Sequence, residues 1–287
     1  MIARIARSCL GIVLAAAAPA AAQTPLPAGY PDLVGPRALA LSASIGIAAG
    51  NEGMWVNPAA IAARRRYSLE TDAFVDRRGA DTTARFYGGS VVDSQSAPVA
   101  AGIAYVRGDE GAYTGNAWTG ALGGSIAQGL YLGVAGKYLS FEGPRNVSAG
   151  TVDAGLFWQV APYVSIGAAG YNLVSIANPA VAPMGYGVGV GIGDDRKFQL
   201  TADWRTDLDR APEATSRWAV GAEVLLGDLV PVRGGWMKDE TLGGSWWSVG
   251  AGLVTRAGVS LDVAYRQSLD DPGARTIAGA LKVFVFQ

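Results

Sequence analysis

From Tyr67 onward the chain alternates apolar and polar residues with a period of two, in segments cut by turn residues. Phe198, Leu200, Ala202 and Trp204 interleave with Lys197, Gln199, Thr201, Asp203 and Arg205. Val259, Leu261, Val263 and Tyr265 interleave in the same way with Ser260, Asp262, Ala264 and Arg266. Trp218, Val220, Ala222, Val224 and Leu226 share one parity, with Arg217 and Glu223 on the other. This period puts alternate side chains on opposite faces of a β-strand. Turn signals divide the region into fourteen segments, near 67–77, 82–92, 97–107, 116–127, 130–141, 150–160, 162–172, 184–193, 196–205, 216–226, 230–237, 246–255, 258–267 and 276–286. Gln128-Gly129, Ala257-Gly258 and Asp194-Asp195 read as short turns. Arg107 to Gly115, Asp207 to Thr215 and Ser268 to Arg275 read as longer, charged connections on the opposite side.

The stretch from Gly35 to Ala63 (GPRALALSASIGIAAGNEGMWVNPAAIAA) does not alternate clearly. Pro36 to Ile47 predicts one short helix, and Glu52 to Ala63 a second with Pro58 near its start. A first strand plus a loop is the other reading. The weak alternation and the Asn57-Pro58 pair favour a small helical plug.

Composition decides where such strands lie. The chain is 50% hydrophobic and 16% charged, against about 25% charged residues in soluble domains. After the first two dozen positions no run reaches the roughly 18 apolar residues of a spanning helix. Only helices and closed barrels satisfy the backbone in lipid. The expected fold is therefore all-β: a closed antiparallel transmembrane β-barrel of about 14 strands with a small N-terminal plug. A soluble sandwich or propeller would also alternate. Trp158, Trp204, Trp218 and Trp247, however, sit on the apolar parity near strand ends, as interfacial girdles require.

Arg4 and Arg7, an apolar run from Cys9 to Ala18, and Ala20-Ala21-Ala22 form a secretory signal peptide. The expected organisation is a signal peptide over 1–22, a plug over 23–66 and an outer-membrane barrel over 67–287. Cys9 is the only cysteine and lies in the leader, so the mature chain has no disulfide or thiol–metal site. A net charge of −1 gives no basic excess for a nucleic-acid partner. With no histidine, the usual general base is missing, and neither an enzyme nor a cofactor is expected.

The polar parity supplies the lumen candidates Lys137, Asp153, Asp203, Arg205, Glu223, Arg233, Asp262, Arg266 and Lys282. Both signs occur, which fits a lumen cross-linked by salt bridges or a ligand site, and excludes a strongly charge-selective pore. Gly133, Ala135, Gly155, Gly167, Ala169, Gly221, Gly250 and Gly252 leave space inside for a plug or a slim apolar molecule. Arg64-Arg65-Arg66 reads as a solvated joint or a contact to acidic lipid. In the last segment Ile277, Leu281, Val283 and Val285 face outward, which turns Phe284 and Phe286 inward beside Lys282 unless a bulge intervenes.

Gly35-Pro36-Arg37-Ala38-Leu39-Ala40-Leu41, followed by Trp55-Val56-Asn57-Pro58-Ala59-Ala60-Ile61-Ala62, resembles the N-terminal signature of the FadL-like superfamily of outer-membrane barrels, including its PorV/PorQ branch. The chain departs from that signature at Val56 and at Ser42-Ala43. Gly170-Tyr171-Asn172-Leu173, Ala202-Asp203-Trp204 and Val232-Arg233-Gly234-Gly235-Trp236 add looser similarity. The C-terminal strand is similar to the outer-membrane insertion signal, with its aromatic, Phe286, one position early. The resemblance implies a plugged fourteen-stranded barrel in the outer membrane of a Gram-negative envelope. Its partners would be membrane lipid and either a hydrophobic small molecule or, on the PorV-like side, secreted proteins and secretion components. The plug motif is Gly35, Arg37, Trp55, Asn57, Pro58 and Ala59. There Asn57 would cap a helix and fix a plug acting as gate or stopper. Arg37 would pair with a lumen carboxylate or remain solvated.

Overall fold

The computed structural model describes residues 35–47, 50–78, 83–174, 179, 181–194 and 196–285. The leader, the lead-in before Gly35, and Phe286 lie outside them. Fourteen strands follow one another around a closed antiparallel barrel. They are β1 (Tyr67–Arg77), β2 (Thr83–Asp93), β3 (Val99–Glu110), β4 (Tyr113–Ala127), β5 (Leu130–Glu142), β6 (Val147–Ala161), β7 (Val164–Tyr171), β8 (Gly185–Asp194), β9 (Phe198–Asp207), β10 (Thr215–Leu226), β11 (Val230–Asp239), β12 (Gly244–Val254), β13 (Val259–Ser268) and β14 (Arg275–Val285). β14 closes on β1 in unbroken register from Tyr67↔Val285 to Arg77↔Arg275. Closure leaves no unpaired sheet edge, the condition a strand must meet in lipid.

The alternation sets which face looks outward. In β1, Ser68, Glu70, Asp72, Phe74 and Asp76 are buried, whereas Tyr67, Leu69 and Val75 are exposed. Exposed aliphatic residues continue around the outer wall on β8, β10, β12 and β13, with Val188, Val220, Val249 and Leu261 among them. Aromatic rings bound this belt. At the end opposite the β1 start, Tyr186, Trp204 and Trp218 stack in sequence at 5.5 and 6.0 Å between ring centroids. Tyr105–Trp118 and Trp247–Tyr265 continue that girdle. Tyr67, Trp158, Tyr163 and Phe198 stand at the other end, here called the terminus side.

One expectation about the connections changes. Arg107 to Gly115 is not a long loop, because Arg107 pairs with Asn116 and Asp109 with Thr114 up to a turn at Gly111 and Ala112. Charge marks strand ends reaching into water there, and sequence alone cannot separate such ends from a loop. The final strand has no bulge: Phe284 faces the lumen and lines its terminus-side cavity with Lys282.

The plug fills the barrel. Its first helix, α1 (Pro36–Leu41), is shorter than expected and stops at Ser42, whose φ is 57° and whose N–H donates to the Ala38 carbonyl. The expected second helix is broken. Helix α2 (Gly53–Val56) ends at Asn57, which is extended (φ −159°, ψ 99°), and a 3-10 turn covers Pro58–Ala62. Proline disfavours the helical region for the residue before it, so Asn57 cannot continue α2.

Candidate functional site

The plug lies against the wall through backbone as well as side chains, and the glycines of the inner face make this approach possible. A Cβ on Gly221 would sit 2.2 Å from the Leu41 carbonyl oxygen, and one on Gly189 would sit 2.6 Å from the Gly46 nitrogen. Polar groups then fix the contact. The Asp203 carboxylate accepts from the backbone N–H groups of Ser44 (2.6 Å) and Ile45 (2.8 Å). The Ser165 hydroxyl donates to the Gly46 carbonyl at 2.7 Å, and the Ser248 hydroxyl to the Ala40 carbonyl at 2.8 Å. Asn57 serves three partners: its oxygen accepts from the Ala59 N–H, and its amide donates to the carbonyls of Ile45 and Leu156. It both caps the 3-10 turn and ties two plug segments to β6. Trp55 donates from Nε1 to the Thr119 hydroxyl at 3.1 Å. Gly35, with φ 99°, precedes α1, while Pro58 and Ala59 lie fully inside.

An ion-pair network spans the lumen on the terminus side of α1. Arg37 holds Glu223 in a two-pronged contact, both bonds at 3.1 Å, and also reaches Glu52 (3.1 Å) and Gln199 (2.9 Å). Arg233 bonds Glu223 and lies 2.5 Å from Asp262. Lys282 joins Glu70 at 3.0 Å and Asp262 at 3.8 Å. Burial alone would lower the Arg37 pKa, but the charges of Glu223 and Glu52 outweigh it and raise the value. Burial would likewise raise the Glu52 pKa, yet Lys282, Arg37 and Arg66 hold it well below the ordinary carboxylate range. Breaking one member of such a buried set leaves uncompensated charge, typically costing about 3–5 kcal/mol.

Above and below this network lie two different chambers. On the terminus side a cavity of 730 Å³ is lined by the network and by Arg64, Arg65, Arg66 and Arg196. On the far side a space of only 60 Å³ is lined mainly by apolar side chains, Trp55, Phe74, Phe86, Val106, Leu139 and Val181 among them, but also by Lys137, Arg205 and Arg210. These apolar residues belong to the largest buried hydrophobic cluster, which also takes in Leu39 and Ala40 of α1.

The lumen candidates therefore divide. Glu223, Arg233, Asp262 and Lys282 meet in one network with Arg37, and Asp203 binds the plug backbone. The others stand apart. Lys137 pairs with Asp153 at 2.5 Å, and Asp153 also accepts from the Asn172 N–H. Arg205 pairs with Asp207 at 3.2 Å and covers the Tyr171 ring at 4.0 Å. Arg266 donates to Thr276, which donates to Asp76. The joint is not uniformly solvated: Arg64 and Arg66 are half-buried over the cavity, and only Arg65 is exposed, because the plug turns back under the barrel mouth there.

Sequence reasoning missed Glu52, Glu70 and Gln199 as network members. Glu70 shares the inner parity of β1 with Ser68 and Asp72 and was open to the same periodicity argument. Glu52 carries no such signal, since its position depends on how the plug folds back. The apolar far chamber was missed because Leu139 and Phe141 face inward beside an outward Tyr138, so both parities are apolar.

The barrel fold has counterparts of known structure. The toluene transporter TbuX of Ralstonia pickettii superposes with a TM-score of 0.63 at 13% identity, covering 90% of this chain and 97% of that one. A FadL homologue of Pseudomonas aeruginosa gives 0.62 at 13% identity, covering 87% and 97%. The fold is FadL-like. The monoaromatic hydrocarbon channel CymD adds a TM-score of 0.65 at 13% identity, covering 87% and 96%. No protein-family model and no curated protein matches the chain. At these identities the likeness concerns the fold alone.

Proposed function

We propose that this chain is an outer-membrane barrel of the FadL-like type that binds or passes small hydrophobic molecules. The strand termini and short turns then face the periplasm and the charged loops the exterior. The observation that carries the reading is the apolar inner chamber between the loops and the plug, bounded by Phe74, Phe86, Val106 and Leu139. A water-filled pore has no need of buried phenylalanines on its inner wall. Its structural neighbours include a toluene transporter and a monoaromatic hydrocarbon channel, which supports an apolar cargo. At 60 Å³ the chamber is far below the roughly 300 Å³ lower end of small-molecule sites, so this conformation is closed. The purified barrel in detergent tests the reading: toluene raises its melting temperature, and Val106→Trp, which fills the chamber, abolishes the rise. An unchanged melting temperature with toluene and with longer apolar probes sinks the proposal.

The plug supports a second reading. Its contacts to β2, β4, β6, β7, β9, β10 and β12 run around the wall, as expected of a stopper in a PorV-like accessory barrel for secreted proteins. Specific recovery of a secreted protein or secretion component with the tagged barrel, and loss of its export without the barrel, is the expected outcome. Normal export in the barrel's absence counts against it.

A further inference from the structure

The outer wall carries a band of positive charge that neither chamber uses. Outward parity places Arg275, Arg77, Arg85 and Arg107 at the loop-side ends of four consecutive strands, β14, β1, β2 and β3. Arg77 stands directly across from Arg275. On its other flank Arg77 faces Thr83, with Arg85 on the diagonal, and Arg107 stands diagonal to Arg85 in the same way. Like charges directly opposite one another on paired strands destabilise the pairing, and long side chains reach their diagonal neighbours.

Little offsets this charge from within the protein. Arg107 is met by Asp109 at 3.8 Å. Among the described residues no carboxylate lies within ion-pair distance of Arg77, Arg85 or Arg275. The acids nearby are committed elsewhere: Asp76 and Glu110 face inward and hold Arg78, while Asp270 and Asp271 accept the backbone N–H groups of Ser245 and Gly273. Asp81, in the β1–β2 turn, lies outside the described residues and is one carboxylate against three guanidinium groups. Towards the middle of the barrel the same face turns apolar at once. Val75 and Ile277 oppose each other across β1 and β14, with Tyr87 on β2 and Ile103 on β3, all exposed. The arginines thus stand where a hydrocarbon-facing wall ends, at the level of lipid headgroups, with stems that can lie along that wall.

We propose that this band docks the phosphate head of an anionic lipid in the loop-side leaflet, with Arg77, Arg275 and Arg85 as its contacts. A phosphate between Arg77 and Arg275 turns a repulsive cross-strand pair into two charge-assisted contacts, and planar guanidinium groups match its oxygens. With a net charge of −1 for the whole chain, the attraction comes from this local band and not from an overall basic charge. The inference rests on the barrel crossing a membrane but not on its cargo, so the toluene experiment leaves it standing whatever its result.

Native mass spectrometry of the intact barrel in neutral detergent tests this, with diphosphoryl lipid A as the probe. Phosphatidylcholine, whose phosphate is neutralised by its own choline, is the comparison. One-to-one retention of lipid A is expected, about tenfold above phosphatidylcholine and weakened about tenfold by Arg77→Gln or by Arg275→Gln, as for a lost charge-assisted contact. Arg85→Gln weakens it in the same direction, and added salt does too. Lys238→Gln leaves retention unchanged: Lys238 also faces outward at the loop-side end, but on β11, with Trp218 and Ser245 across from it. Without lipid, Arg77→Gln does not lower the melting temperature, because it removes a repulsive pair. The three arginine variants lie on separate strands, so a folding defect in one does not remove the test. Equal retention of the two lipids, retention indifferent to all three arginine variants, or an equal loss in Lys238→Gln overturns the proposal.

Discussion

The chambers on either side of the plug are built from the same inward parity of the same strands, yet they differ in volume and polarity. The loop-side chamber is lined mainly by aromatic and aliphatic side chains, with Lys137, Arg205 and Arg210 beside them, and little space is left. The terminus-side chamber has paired charges that hold one another and leave room. Apolar side chains gain by contact and collapse onto each other. Buried ions require opposite partners at fixed distances, which keeps a lattice of long side chains open. The plug lies between them, pinned by Arg37 on the charged side and by Trp55 on the apolar side.

Removing the centre of the charged side has the largest expected effect. Glu223→Ala leaves Arg37 and Arg233 buried without their shared carboxylate and destabilises plug docking by about 3–5 kcal/mol. Thermal unfolding in detergent and solute leakage from reconstituted vesicles both report it. An unchanged melting temperature and a tight barrel would show that backbone docking alone holds the plug.

Acid sharpens the same comparison. The folded-state pKa of Glu52 lies below its ordinary 4.5, so its charge contributes stability that is fully present above that value. The contribution is lost as pH falls from about 4.5 through the folded value. The stability difference between wild type and Glu52→Gln is therefore steady from pH 6 to 8 and narrows below about 4.5. A difference that stayed constant down to pH 3 would remove Glu52 from the network.

The apolar side gives the smallest effect. Val106→Ala removes about two methylene equivalents from a packed wall and costs about 1.5 kcal/mol. It enlarges the loop-side chamber without touching the charged one. The melting-temperature rise with toluene should grow.

The barrel was legible because its signals are local. Phe198 to Arg205 and Val259 to Arg266 show their two faces directly, and all fourteen segments lie within a few residues of the observed strands. Trp204 and Trp218 were likewise placed by parity and neighbour each other across β9 and β10. The plug was legible only as a departure from that rhythm. Pro58 argued for a helix start, but its effect on Asn57 splits the segment into α2 and a 3-10 turn. The inner polar residues were identified by parity and their partners were not, since Arg37 and Glu223 are 186 positions apart.

By itself, then, the sequence determined a fourteen-stranded barrel with an apolar exterior, because strand period and turn chemistry act over a few neighbouring residues. The third dimension decided that Leu41 lies on Gly221, that Glu52 joins Glu223 around Arg37, and that Arg64 lines the cavity beneath the plug. Those contacts depend on how a closed wall folds around a chain segment from far away in sequence. No local pattern encodes that closure; only packing inside the finished barrel selects it.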